Sequence, residues 1–270
     1  MSPGFELRPF GSTGIGVAPL GMAATYRPGR KAVYTAFDEG INLFFAFGID
    51  RQMTRALSEI MSANRDRVVL ATGAYNYVWR AQDIRRTFER RLRQFMTDYI
   101  DIFLFQGVMK PEQFTPMVYE AMLKLKDEGK VRAIGISCHD RKFLGKLASD
   151  GGVNALMLRY NAAHRGAEQD IFPYLGVHNP GVISYTATRW TYLLRRPRNM
   201  PEDTRVPTAG ECYRFVLSDP CVHAVLTAPR NERQLRENIE AARKGPLDED
   251  DLRFMRGFGD VVHDQRKWFM

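Results

Sequence analysis

Apolar residues recur along this chain in two alternating patterns, a three-to-four-residue helical period and short unbroken runs of the kind that buried strands make. Val33, Ala36 and Phe37 mark a helix closed by Gly40, and residues 41–45 (Ile-Asn-Leu-Phe-Phe) form the first run. Met53, Leu57 and Ile60 predict the next helix and residues 67–72 the next strand. The alternation continues with a stripe of Ile84, Phe88, Leu92 and Phe95, a strand over 99–105, and a helix with Val118, Met122 and Leu125 inward. A strand from Val131 follows, then a helix with Phe143, Leu144 and Leu147, and strands over 155–158 and 182–185. Between those two strands the pattern is mixed. Thr208 with Glu211 is a capping box opening a helix through Phe215, and residues 222–226 are the last strand. Asn231 with Gln234 repeats the device, with Leu235 and Ile239 inward, and Leu252, Met255, Phe258 and Val262 predict a final helix packed outside.

At the other end of the chain, residues 6–10 and 17–20 flank the turn Gly11-Ser12-Thr13-Gly14, and a proline in each flank restricts them to edge strands. This reads as a hairpin lid. Six or more helix–strand units then argue for an α/β fold built on a closed parallel barrel, whose chemistry belongs at the C-terminal ends of the strands. No linker, repeat or low-complexity tract interrupts the pattern, so residues 1–270 read as one domain.

Composition narrows the class without naming a function. At 270 residues and 44% apolar content the chain can bury a large core. No apolar run approaches the roughly 18 residues of a membrane helix, and the start lacks the regions of a signal peptide, so a cytoplasmic location is expected. The three cysteines fit no disulfide framework, zinc motif or haem motif. A formal charge of +8 is compatible with nucleic acid, an anionic cofactor or a basic surface. The densest arginines flank the Ile84 stripe and no nucleic-acid motif accompanies them, which favours a solvated face and no nucleic-acid partner.

The residues that carry chemistry cluster at strand ends. The run from Lys130 to Asp140 delivers Ser137, Cys138, His139 and Asp140 to one such end. A Cys-His-Asp string suggests a nucleophile set, but adjacent side chains on extended backbone face opposite ways, so Cys138 and His139 can line a pocket more readily than act on each other. A metal would need further ligands, such as His164 or Asp50, from other loops. After the strand at 155–158, His164, Arg165 and Glu168 could hold an anion or clamp a loop. After the strand at 182–185, Arg189 beside Trp190 offers a cation and an aromatic plane suited to a carboxylate or phosphate, or to packing. Phe44, Phe45, Phe47, Tyr75, Tyr77 and Trp79 suggest an apolar wall near two strand ends, with Phe44 assigned to the core. The arginine-rich stretch over 193–201 reads as a loop crossing the same face.

Five segments in order along the chain resemble aldo-keto reductases: Phe10-Gly11-Ser12-Thr13-Gly14, Asp38-Glu39-Gly40-Ile41-Asn42, Thr97-Asp98-Tyr99-Ile100-Asp101, residues 127–135 and residues 214–220. The resemblance implies a (β/α)8 TIM barrel with an N-terminal hairpin, binding NADP(H) across its C-terminal mouth. It also implies an Asp, Tyr, Lys, His tetrad in which a lysine- and histidine-assisted tyrosine gives a proton to a carbonyl as hydride arrives. Here those positions hold Phe45, Asp50, Gly73 and Gln106, so all four have changed. Of the family's nicotinamide-binding Ser, Asn, Gln and Tyr, Ser137 and Tyr185 remain, while Cys138 and Met157 stand at the other two. Residues 226–238 resemble the adenine and 2′-phosphate loop, with Arg230, Asn231, Arg233, Gln234, Glu237 and Asn238, although capping alone explains Asn231 and Gln234.

The expectation is therefore a small-molecule ligand, with an anionic one in view, beside NADP(H) at the mouth, and no metal or membrane partner. Asp50, Gln106, His139, His164 and Arg189 are the candidate catalytic residues. Ser137, Cys138, Tyr185, Arg230, Asn231, Arg233, Gln234 and Asn238 are the candidate cofactor residues. Two alternatives stay open: a lyase, isomerase or cyclase on the same barrel, and a binding or regulatory module such as the family-like channel subunits.

Overall fold

The computed structural model describes residues 4–77 and 81–265. In chain order the elements are β1 (Arg8–Pro9), β2 (Gly16–Val17), β3 (Leu20–Ala23), α1 (Arg30–Asp38), β4 (Leu43–Phe45), α2 (Arg51–Asn64) and β5 (Val69–Tyr75). They continue with α3 (Ile84–Phe95), β6 (Ile100–Val108), α4 (Pro116–Asp127), β7 (Val131–Cys138), α5 (Arg141–Asp150), β8 (Ala155–Arg159) and α6 (Ala167–Asp170). The chain ends with β9 (Gly181–Tyr185), α7 (Ala209–Leu217), β10 (Ala224–Thr227), α8 (Glu232–Arg243) and α9 (Glu249–Gln265). Strands β3 to β10 close a parallel barrel in sequence order, with β10 pairing back onto β3, and β1 and β2 form a separate antiparallel hairpin. The (β/α)8 barrel, the hairpin and the extra C-terminal helix are thus all present. No helix among the described residues is long and apolar enough to cross a membrane.

Strand alternation sorts the apolar residues into two cores. Leu43, Phe45, Ala71, Leu104, Ala155, Met157 and Ile183 fill the barrel interior, while Phe44, Leu70, Phe103, Ile134, Leu156 and Val182 pack outward against the helices. Phe44 is core, as expected. Phe10, Ile15 and Val17 of the hairpin join the interior core, and Ser12 and Arg132 tie its turn to His178 and Gly14 carbonyls. The hairpin therefore closes the bottom of the barrel, opposite the strand ends that carry the site. Beside it Asp101, only 1% exposed, accepts from Arg65 at 2.8 Å, Arg132 at 3.0 Å and the Leu70 amide at 3.0 Å.

Two features depart from the sequence reading. The first barrel strand, β3, is absent from the apolar runs because it is four residues long and follows Pro19 directly. Its Gly21 lies where a Cβ would stand 3.0 Å from both Leu226 and Leu43, so the strand is shaped by neighbours rather than by its own pattern. The arginines of α3 do not all face water either. Arg91 is 6% exposed, reaches the Gly73 carbonyl and Gln94, and lies 5.9 Å from the Phe47 ring. Burial pushes its guanidinium down to about 10.

Candidate functional site

The inward rows of the strands continue past the packed interior into a cavity of about 340 Å³ at the C-terminal mouth. Phe45, Gln106, Ser137, Met157 and Tyr185 come from five different strands and form its floor. One wall is aromatic: the rings of Phe45 and Phe47 meet edge to face at 4.8 Å, Phe47 and Tyr75 at 6.5 Å, and Tyr75 and Tyr77 at 5.2 Å. Trp79 lies outside the described residues. The Tyr75 ring packs over Gly107, whose φ is +74° and whose missing Cβ would fall 2.6 Å from that ring. Among the described residues no Asp, Glu, Lys or Arg lines the cavity.

The most exceptional atom on the floor is Gln106 Nε2. Gln106 is 4% exposed, and its amide nitrogen has no hydrogen-bond partner among the described residues. An unmade hydrogen bond of this kind costs about 1–3 kcal/mol, which a ligand acceptor in the cavity would recover. Next to it, Tyr185 is hydrogen-bonded to Ser137, and burial raises its phenol above the ordinary value. Cys138 turns away from the cavity. Its Sγ accepts from the Asp140 amide at 3.3 Å, and burial pushes the thiol up to about 11, which disfavours the reactive thiolate. His139 does line the cavity, on the opposite face from Cys138, and burial followed by the Arg159 charge lowers its pKa.

The positions to which the resemblance assigns the tetrad differ in kind. Phe45 is part of the floor. Asp50 caps α2, accepting from the Met53 amide at 2.7 Å, and lines a second cavity of about 260 Å³ instead of the mouth. The candidate acid is therefore taken up by helix capping. Gly73 admits no side chain, since a Cβ there would be 1.8 Å from the Leu104 carbonyl oxygen. A lysine is excluded by the backbone as well as by the sequence.

Arg189 and His164 also require correction. Arg189 donates to His164 Nε2 and to the carbonyl of Val262 behind the loop that follows β9, and is 1% exposed. It does not line the mouth cavity. Residues 189–191 all have positive φ, a conformation that costs roughly 1–2 kcal/mol per non-glycine residue. This turn sends Trp190 toward the cavity and Arg189 into the protein. His164, pushed down to about 3 by burial and by Arg159, Arg189, His263 and Arg141, is a neutral packing partner. Arg165 and Glu168 turn out to be clamps, Arg165 on Asp260 and Glu168 on Arg256 and Tyr160. Among the described residues no group of three or more His, Cys, Asp or Glu side chains could hold a metal.

At the start of α8, Asn231 accepts from the Gln234 amide and Gln234 accepts from the Arg230 amide, both at 3.0 Å, so both side chains serve the helix start. Asn238 is buried and donates to Thr227, which in turn donates to the Tyr213 hydroxyl beneath the mouth cavity. Its side chain is structural. Arg230 and Arg233 remain exposed, Arg230 over the ring of Tyr26, which itself lines the mouth. Those two cations at a helix N-terminus could hold a phosphate. A residue that sequence reasoning did not single out, Arg159, lines a small gap of about 20 Å³ behind His139 and Tyr185. It follows Met157 in the inward row of β8, a two-residue step that strand periodicity could have revealed.

The chain matches the model of the aldo/keto reductase family over residues 16–207. The oxidoreductase YqkF of Bacillus subtilis is 22% identical, covering 90% of this chain and 91% of that protein. L-galactose dehydrogenase of Arabidopsis thaliana is 26% identical, covering 87% and 88%. The holo form of an aldo-keto reductase from Bacillus halodurans superimposes with a TM-score of 0.77 at 19% identity over 94% and 96% of the two chains. An aldo/keto reductase from Klebsiella pneumoniae, solved with NADP and acetate, gives 0.74 at 22% over 95% and 96%.

Proposed function

This chain belongs to the aldo/keto reductase family, and from that premise we propose that its mouth binds a small organic molecule beside NADP(H) without the tetrad's proton chemistry. The observation that carries the reading is Gln106 Nε2, a buried donor without a partner among the described residues, on the floor of an aromatic-walled cavity. It favours a ligand with a carbonyl or similar acceptor. Phe45 and Gly73 supply no acid or base, and Asp50 is held at the end of α2, so proton transfer to the ligand lacks the family's donor.

NADP(H) fits the residues in part. Ser137 and Tyr185 would hold the nicotinamide end, and Arg230 and Arg233 the phosphate end, where bound cofactor would supply hydride. Met157 and Cys138 offer no amide, and each lost hydrogen bond weakens binding by about 1–3 kcal/mol. The expected outcome of a calorimetric titration is an NADPH dissociation constant above roughly 1 µM. In a panel of simple aldehydes followed by NADPH absorbance, turnover should stay well below about 1 per second, the lower end of ordinary enzyme rates. Tight NADPH binding together with turnover that disappears in Asp50→Asn would overturn the proposal.

His139 supports a second reading. It lines the cavity and is held neutral by burial, as a base for a lyase, isomerase or cyclase must be. Turnover without nicotinamide that is lost in His139→Gln would single that reading out. A regulatory module would instead show a protein partner and no turnover.

A further inference from the structure

We propose that the molecule taken up at the mouth is a flat heterocycle with an N–H donor beside a carbonyl acceptor, as in a lactam or cyclic imide, and that the carboxamide of Gln106 reads that edge with two hydrogen bonds. This rests on the proposed small-molecule function and names the ligand's class. Gln106 ends the inward row of β6. Leu104 before it faces the barrel interior, but between Phe105 and Val108 the register with β7 shifts, with Gly107 at a φ of +74°, and Val108 packs outward with the helices. A bulge of this kind re-aims side chains, and here it leaves Gln106 as the last inward side chain of the strand, on the cavity floor. The backbone on both sides is pinned: the Gln106 carbonyl accepts from the Asn76 amide at 2.7 Å and the Val108 carbonyl from the His139 amide at 3.0 Å. The side chain is not. Nε2 has no partner among the described residues, and no hydrogen bond joins Oε1 to any of them.

A carboxamide carries a donor and an acceptor side by side, which complements a ligand edge with an acceptor beside a donor. Glutamine reads adenine in DNA through such a pair of bonds. No bond fixes the Gln106 amide and its last torsion is soft, so both of its atoms can turn to one ligand edge. A ligand with a carbonyl alone would satisfy the amide nitrogen and leave the amide oxygen unmatched. The shape of the ligand follows from the wall. Tyr75 is the register partner of Gln106, and its ring packs over Gly107, where a Cβ would fall 2.6 Å away. Phe47 and Phe45 on one side and Tyr77 on the other extend that ring into one aromatic surface. A planar ring lying against this surface brings its edge, and not its face, to Gln106. At about 340 Å³ the cavity lies at the small end of ligand pockets, which suits a bicyclic ring.

The test uses matched probes on the full-length protein, titrated by calorimetry: 2-quinolone, which carries the N–H and the carbonyl, coumarin, which has an oxygen in place of the N–H, and N-methyl-2-quinolone, in which the donor is blocked. The 2-quinolone is expected to bind roughly tenfold tighter than either control, the range of one hydrogen bond to a group otherwise left unmatched. In Gln106→Leu all the probes should bind alike, and Gln106→Met, another side chain without a strong donor or acceptor, takes its place if the leucine variant does not fold. Equal binding of 2-quinolone and either control by the unmodified protein overturns the inference, and leaves the proposed function standing with a ligand held by its carbonyl alone. A preference that survives Gln106→Leu gives the edge to another group on the floor and also overturns it. Protein that binds NADPH but none of the probes does the same.

Discussion

At the scale of single residues the site joins positions of two physical kinds. Phe45 and Gln106 place side chains on the cavity floor, whereas at Gly73 the close approach of Leu104 leaves no room for one. Gly73→Ala is therefore expected to destabilise the fold by about 1–3 kcal/mol or more, as overpacking does, and Gly73→Lys should not restore reductase chemistry. A Gly73→Lys protein melting with the unmodified one would contradict the close approach of Leu104. Gln106→Leu should act in the opposite direction. Replacing an unsatisfied buried amide by an apolar group of similar size removes a desolvation penalty, so the ligand-free protein should gain on the order of 1 kcal/mol while losing affinity for carbonyl ligands. Denaturant titration of both forms measures it, and a destabilised leucine variant would show that the amide nitrogen is satisfied.

At the scale of elements, α9 is held to the barrel by polar clamps as well as by Met255, Phe258 and Val262. Arg256 pairs with Glu168, Arg165 with Asp260 and Arg189 with the Val262 carbonyl, and Gly259 lies where a Cβ would be 2.2 Å from the Ala162 carbonyl. This places Arg189 in the helix clamp and not at the ligand. Arg189→Ala is expected to cost about 2–4 kcal/mol of stability, since it strands buried acceptors, and to leave NADPH affinity within about twofold. Lost affinity at unchanged stability would return Arg189 to the mouth. Helix positions were legible because burial follows their period: Ile84, Phe88 and Phe95 of the α3 stripe are buried, as are Val118, Met122 and Leu125 of α4. The loop after β9 was not, because the positive φ values at 189–191 reverse the facing that alternation would give Arg189 and Trp190.

For the whole molecule, the cluster of cations behind the mouth links stability to pH. His164 sits at about 3 in the folded protein against 6.5 for the free side chain, held down by burial, Arg159, Arg189, His263 and Arg141. Between those values the unfolded chain binds the proton and the native protein does not, so this contribution is complete above about pH 6.5 and is lost as pH falls toward 3. Lowering the pH from about 7.5 to about 5 should cost about 2 kcal/mol through His164, by the difference in proton uptake. His139 and His223, also lowered, act with the same sign. Urea melts of the unmodified protein and His164→Gln at both pH values isolate the term. Identical pH dependence in the two would show that His164 titrates normally.

The sequence by itself determined the α/β class, the barrel, the hairpin and the final helix, because burial imposes a period of 2 or 3.6 on any chain that folds this way. It also determined the cap pairs Thr208 with Glu211 and Asn231 with Gln234, since those depend on neighbours within four residues. Only the tertiary structure decided that Asp50 caps a helix and lines a second cavity beside the mouth, that Asn238 is buried on Thr227, that Gln106 has an unmet donor among the described residues, and that Arg189 is turned into the protein. Each of those outcomes depends on residues far apart in the chain or on backbone that departs from regular alternation, and the local pattern of a sequence specifies neither.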